Sequence, residues 1–377
     1  GKDSLYTNTT GNYNIAVGYD ALQQNNASQN VAIGHDALKL NTTGDYHTAV
    51  GYNALAANTT GSSNVAVGGL SLLDNVTGTS NVAIGVQALQ DNLASNNTAV
   101  GRDALKLNTT GTQNTAVGAY ALDAITTGTT STAVGYQALT ASTGNNNSAF
   151  GSTALATNTT GNNNTAVGHA ALVSTSTGSD SSAVGYAALY NSNGAAANTA
   201  IGSYAGHNVT TGGYNVFAGY YAGVNVTTGQ KNVCLGHNTL RTVTGGSYNT
   251  AVGDQALYDY TGSETVSVGH ASAYELTTGS QCTAVGTSSL RNSTTGNYNT
   301  AIGYYAMGAA VVTGSHNTAV GYRAAQVLTT GNYAVFVGKG AGYNVTTASN
   351  LTILGYNAAY GLTTGNENVV ILSLIHI

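Results

Sequence analysis

The chain has 377 residues, 50 glycines, no proline or tryptophan, only 6% charged residues and a formal net charge of −5. Nine scattered Lys and Arg form no phosphate-neutralising stripe, so nucleic-acid binding is not expected. No run of 18 apolar residues occurs, so this segment offers no transmembrane helix and no membrane insertion is expected of it.

Residues 1–11 read as a partial first coil that starts in mid-pattern at Gly1, as expected of a fragment. No signal peptide is visible. Residues 12–371 are one continuous repeat array with no shift of composition that would mark a linker. Its core is Asn-Thr-Ala-Val-Gly-x-x-Ala-Leu, as in Asn114 to Leu122. The 21 marker glycines include Gly18, Gly34, Gly51, Gly68, Gly118, Gly168, Gly253 and Gly303, which are expected to be structural turn glycines. Their spacing is 17 residues, with four steps of 16 and one of 18. A strict short period marks a solenoid, in which each repeat buries its apolar side against its neighbours.

With the marker glycine as position 0, position −1 is apolar throughout; −2 is Ala in 16 of 21 repeats, +3 is Ala in 17 and +4 is Leu in 14. Thr-Ala-Val suits a strand, and a helix of ten residues has no room between the glycines. Asn-Thr-Thr-Gly, as in residues 41–44, supplies turn chemistry, and all changes of repeat length fall in that region. The fold class is therefore all-β, a parallel β-solenoid of 21 coils. At about 4.8 Å per coil it would be about 100 Å long. Positions −2 and −1 point to opposite faces of the strand, yet both are apolar, so one face lines the coil and the other meets something dry. Which face does which is open at this point. Repeat 13, Phe217-Ala218-Gly219, pairs a large residue at −2 with a small one at −1, as if both sides were packed. Asn stands at −4 in 14 of 21 repeats and is expected to form a corner ladder of stacked amides. Cys234 and Cys282 lie three coils apart, too far for a disulfide, and read as small-residue substitutions.

The motif resembles the head repeat of YadA-like trimeric autotransporter adhesins, most closely in Val31-Ala32-Ile33-Gly34-His35-Asp36-Ala37 and Asn81-Val82-Ala83-Ile84-Gly85. Long Thr-Ala-Val-Gly-Tyr-x-Ala-Leu arrays are also similar to phage tail-fibre proteins. The adhesin resemblance implies a left-handed β-roll, three chains side by side as a homotrimer, an extracellular place on the bacterial surface, and attachment to a host cell-surface glycan or matrix protein. The fibre resemblance implies a shaft for host recognition. This coil is longer than the head family's usual repeat by its Asn-Thr-Thr-Gly loop, and the neck, stalk, anchor and chaperone modules of those families lie outside the sequence. Residues 372–377 resemble a translated sequencing-library adapter and are expected to be a non-native tail, with an apolar edge strand as the alternative.

No constellation suits catalysis, a metal or a cofactor, so the chain is not expected to be an enzyme. His35, His169, His237 and His270 share position +1, but no two are in adjacent coils, and they read as exposed turn residues. Asp20 and Asp36, both at +2, could stack as two carboxylates, without an accompanying base at a fixed offset. Regular Thr pairs such as Thr59-Thr60 suggest an ice-binding solenoid as a remote alternative, weakened because adjacent strand residues point to opposite faces. The candidate contact residues are tyrosines: Tyr19, Tyr52, Tyr136, Tyr186, Tyr304, Tyr322 and Tyr356 at +1, and Tyr298 in a second row at −5. Aromatic rows serve either recognition or packing of one coil on the next.

Overall fold

The computed structural model describes residues 1–371; the six-residue tail lies outside the described residues. Two compact units divide the chain. The first holds Gly1–Ala187 and Ser192–Gly194, the second Ala188–Asn191 and the residues from Ala195 onward. Each unit is a parallel β-solenoid, with about 17 residues per turn and about 21 turns in all. No helix occurs among the described residues. The first unit carries strands β1 (Ile15–Val17) to β11 (Ser182–Val184), the second β12 (Thr199–Ile201) to β22 (Val369–Ile371), each of three residues. Within a unit, successive strands pair parallel and in register, as in Thr115 with Thr132, Ala116 with Ala133 and Val117 with Val134. Gly1 occupies the marker position of the coil that precedes β1, since a Cβ there would lie 2.1 Å from the Gly18 carbonyl oxygen.

The strand faces are now assigned. Position −2 points inward: Ala116, Ala133 and Ala166 are fully buried, together with Ala at +3 and Leu at +4, such as Ala121 and Leu122. Position −1 points outward and stays partly exposed, as at Ile33, Val117 and Ile201. The pairing of Phe217 with Ala218 therefore has a different cause from the one its sequence suggests. The two residues face opposite sides, and Phe217 is accommodated at +4. A Cβ on Gly223 of the same coil would lie 2.2 Å from the Phe217 ring, and one on Gly206 of the preceding coil 2.7 Å from it. Phe336 uses Gly342 in the same way, at 2.3 Å. At Phe336 Phe-with-Gly replaces Ala-with-Leu at about constant core volume, the kind of exchange a packed interior tolerates, whereas Phe217 also takes space at +4 of the preceding coil.

The coil turns its corners with residues in the left-handed region. In the coil marked by Gly135, Thr130 at −5, Gln137 at +2 and Leu139 at +4 have φ of 55°, 53° and 52°. Such a conformation costs a non-glycine residue roughly 1–2 kcal/mol. It is offset because each residue's N–H then reaches a neighbouring coil: Thr130 to Thr112 O at 3.1 Å, Gln137 to Ala119 O at 3.1 Å and Leu139 to Ala154 O at 3.0 Å. Hydrogen bonding between coils therefore continues well beyond the three-residue strand. The marker glycines adopt φ values that side chains avoid, for example 135° at Gly118, where a Cβ would meet the Gly135 carbonyl oxygen at 2.5 Å. The eight predicted turn glycines, Gly18 to Gly303, share this geometry.

The −4 Asn column does form a buried ladder, but its rungs run mainly from side-chain amides to backbone groups of the next coil and only in places from amide to amide. Asn164 Nδ2 donates to Gly178 O at 2.8 Å and its Oδ1 accepts the Ser181 N–H at 3.0 Å, while its own N–H donates to Asn147 Oδ1. Asn thereby satisfies backbone groups that the corner would otherwise leave unpaired in the interior. A second buried ladder, at +7, was not singled out in the sequence. It is made by the Asn of Asn-Thr-Thr-Gly: Asn41 donates to Asn25, Asn58 to Asn41, and Asn108 to Asn92, at 2.7–2.8 Å. It stops where the column changes. Asn108 Oδ1 has no partner because Ile125 stands in the next coil. In the second unit the same column is mostly apolar, with Val209, Val226, Val243, Leu276, Leu328 and Val345 all buried, and Tyr260 and Ser293 as its hydrogen-bonding exceptions. Cys234, in the Ala column, and Cys282, in the −4 column, are both buried and free. Burial pushes both thiols above their usual range.

Candidate surface-contact rows

Most marker glycines open a four-residue turn closed by the +3 N–H bonding back to the glycine carbonyl, as Ala138 does to Gly135 at 3.4 Å. Positions +1 and +2 are its two corner residues, with positive φ at +2 as a type II turn requires. The +1 side chain, absent only at Gly69, is thus held at an outward corner of successive coils, one above another.

The predicted tyrosines are all half-exposed, between 41% and 57%. They also stack. Tyr304 lies on Tyr322 with centroids 5.3 Å apart and planes at 14°. Tyr19 and Tyr52 flank His35 at 5.0 and 5.7 Å, and His169 lies on Tyr186 at 5.5 Å. The +1 histidines therefore extend the tyrosine column. Tyr136 receives the edge of Tyr120, a +2 residue. Tyr298 belongs to the separate −5 row, where His316 is sandwiched between it and Tyr333 at 4.7 and 4.8 Å. The rings thus pack coil on coil and still present their edges to solvent, so packing and exposure coexist in one column.

Sequence reasoning missed a third aromatic column, at +5, which merges with +2. In the second unit Tyr190, His207, Tyr204 and Tyr221 follow one another with centroids 5.0–5.4 Å apart. Arg241 then bridges Tyr221 and Tyr258, 5.5 Å from each ring, Tyr258 stacks on Tyr274 at 4.9 Å, and Arg291 lies 5.8 Å from Tyr274. The +1 and +2 columns touch where Tyr220 meets Tyr221, at 4.2 Å. Tabulating +5 would have found the column, since Tyr190, Tyr258, Tyr274, Tyr343 and Tyr360 all stand there.

Charged groups near these rows are mostly paired. Asp20 and Asp36 do come together, but Lys39 lies 2.9 Å from each, and their hydrogen bonds push its pKa up to about 12. The arrangement is an ion cluster in which two carboxylates share one ammonium, with His35 Nδ1 2.9 Å from Asp36. Asp254 likewise pairs with His237 at 2.7 Å and reaches His270 at 3.5 Å. Among the described residues no group of three His, Cys, Asp or Glu converges as a metal site. The first Thr of several pairs is committed to the fold: Thr159 Oγ1 donates to Ser176 O at 2.8 Å and Thr277 Oγ1 to Thr294 O at 2.9 Å. Compared with protein-family models and with curated proteins, the chain matches none.

Proposed function

We propose that this chain is a non-catalytic segment of an extracellular attachment fibre, a left-handed β-roll that assembles as a parallel homotrimer and resembles the YadA-like adhesin head. The observation that carries the reading is the outward strand face. Parallel sheets are almost always covered on both sides. Here one side is the coil interior, while the other presents a column of Val and Ile at −1 beside Thr and Val at −3, with Val17, Ile84, Val184, Ile201 and Val266 all exposed. Two further chains laid along that column would cover it and leave the aromatic rows outside. Three parallel copies of each row would multiply weak contacts with a cell-surface glycan or matrix protein by avidity, with no deep pocket required.

The test replaces Tyr298, Tyr304 and Tyr322 by Ala together and measures binding of the folded protein to cells and glycan arrays. Loss of binding with unchanged circular dichroism is expected. Unchanged binding removes these rows from the reading, and glycan cleavage by the purified chain would overturn its non-catalytic part.

A further inference from the structure

One place on the aromatic face is unlike the rest. Position +2 carries a side chain in every repeat but one, where Gly340 stands. Its φ is 64°, and a Cβ there would lie 2.3 Å from Asn357 Oδ1, so the Asn357 amide closes over bare backbone. The gap opens a cavity of about 320 Å³ lined by Tyr322, Arg323, Lys339, Tyr343, Tyr356, Asn357 and Tyr360. That volume is at the small end of the range for small-molecule sites. Its walls are aromatic: Tyr343 and Tyr360 stack at 4.9 Å, and Tyr322, Tyr356 and Tyr360 are each nearly half-exposed at the mouth.

Its charge is of one sign. Lys339 Nζ sits between two rings, 5.7 Å from the Tyr322 centroid and 5.4 Å from that of Tyr356, and the Arg323 guanidinium lies 5.1 Å from Tyr322. Among the described residues neither cation has a carboxylate within ion-pair distance, and Arg323 Nε is buried without a hydrogen-bond partner. Residues 286–366 hold Arg291, Arg323 and Lys339 and not one Asp or Glu, in a chain whose net charge is −5. Ring contacts position the two cations but leave their charge uncompensated, since an exposed cation–π contact is worth only about 0.5–1 kcal/mol.

We infer that this cavity binds one residue of a carboxylated glycan, an anionic pyranose such as a uronic acid. The C–H face of the sugar would lie on a tyrosine, its carboxylate on Arg323 and Lys339, and a hydroxyl on the Asn357 amide. Arg and Lys supply charge-assisted hydrogen bonds to a carboxylate. The aromatic walls suit a ring and not a small inorganic anion, and the open mouth lets the glycan chain continue on either side.

The inference rests on the attachment reading and can fail separately from it. The full chain is titrated calorimetrically with oligogalacturonate, with its methyl ester as the neutral isostere, and with inorganic sulfate. The acidic sugar is expected to bind and the ester to bind at least about ten-fold more weakly, because the charged hydrogen bonds are lost. Sulfate is expected not to compete at equal concentration. Arg323→Gln with Lys339→Gln should remove binding, and Gly340→Asn should do so by filling the cleft. Asn at +2 is already used at Asn53 and Asn238 with positive φ, so that variant is expected to keep the coil once the flexible Asn357 side chain swings aside. Equal binding of acid and ester, equal competition by sulfate, no binding of the acidic sugar, or unchanged binding by the variants would overturn the inference. If cells are still bound while oligogalacturonate is not, the pocket assignment fails and the attachment reading stands. If oligogalacturonate binds but cells do not, the reverse holds.

Discussion

His47 shows at the scale of one residue what the ladder demands. It replaces Asn in the −4 column, is 1% exposed, and performs both of the amide's tasks: Nδ1 accepts the Asn64 N–H at 3.2 Å, which leaves Nε2–H for the Gly61 carbonyl at 2.7 Å. Only the neutral ring can do this, and burial holds its pKa below the ordinary 6.5. With the folded pKa depressed, the unfolded chain takes up its proton first as pH falls. Stability contributed by the neutral ring is thus complete above about pH 6.5 and declines below it. His47→Asn should keep the ladder and abolish that part of the decline, seen as a smaller drop in melting temperature between pH 7.5 and 5 than in wild type; equal drops would refute it. The Phe217 exchange gives a second expectation. Gly223→Leu alone should overpack the ring and destabilise by about 1–3 kcal/mol. Adding Phe217→Ala and Gly206→Leu rebuilds the usual Ala-with-Leu layer and should recover most of the loss in denaturant unfolding.

At the scale of the coil, the repeat made the strand, its two apolar faces and the −4 column readable, because each is a column of one residue type, while which face points inward was not. Three features were hidden for physical reasons. The left-handed corners at +2 and +4 carry mostly Leu, Gln, Tyr and Ala, whose types do not announce positive φ; the Asp and Asn at Asp20, Asp36, Asn53, Asp103, Asn238 and Asn357 hinted at it. The +7 Asn was read as loop chemistry because its partner is 16 or 17 residues away, in the next coil. The +5 aromatics lie outside the repeated core of the motif and are interrupted by Arg241 and Arg291, so they show as a row only once stacked. The candidate tyrosines were legible as columns, but not their stacking with His or the cleft at Gly340. Knowing that −2 faces inward fixes one experiment. Ala116→Asp with Ala133→Asp places two carboxylates in the coil interior and should unfold the surrounding coils, lowering the melting temperature and exposing nearby amides to hydrogen exchange. Loss of assembly with undisturbed exchange would contradict the assignment.

For the molecule as a whole, the outward −1 and −3 column is the feature that asks for a partner. A single exposed Val is ordinary on a protein surface, whereas a contiguous apolar strand face marks an interaction site. A second copy of the chain offers the same column in the same register, and the weakly charged surface sets little repulsion against it. The aromatic rows stand at the turn corners, at positions other than those of the −1 and −3 column, so the proposal assigns assembly and contact to different residues. Sedimentation equilibrium at micromolar concentration, comparing wild type with Val100→Lys, Val117→Lys and Val134→Lys combined, tests this most directly. The account predicts three times the chain mass for wild type and a monomer with unchanged circular dichroism for the variant. A well-folded wild-type monomer, or a variant that still sediments as a trimer, would contradict it.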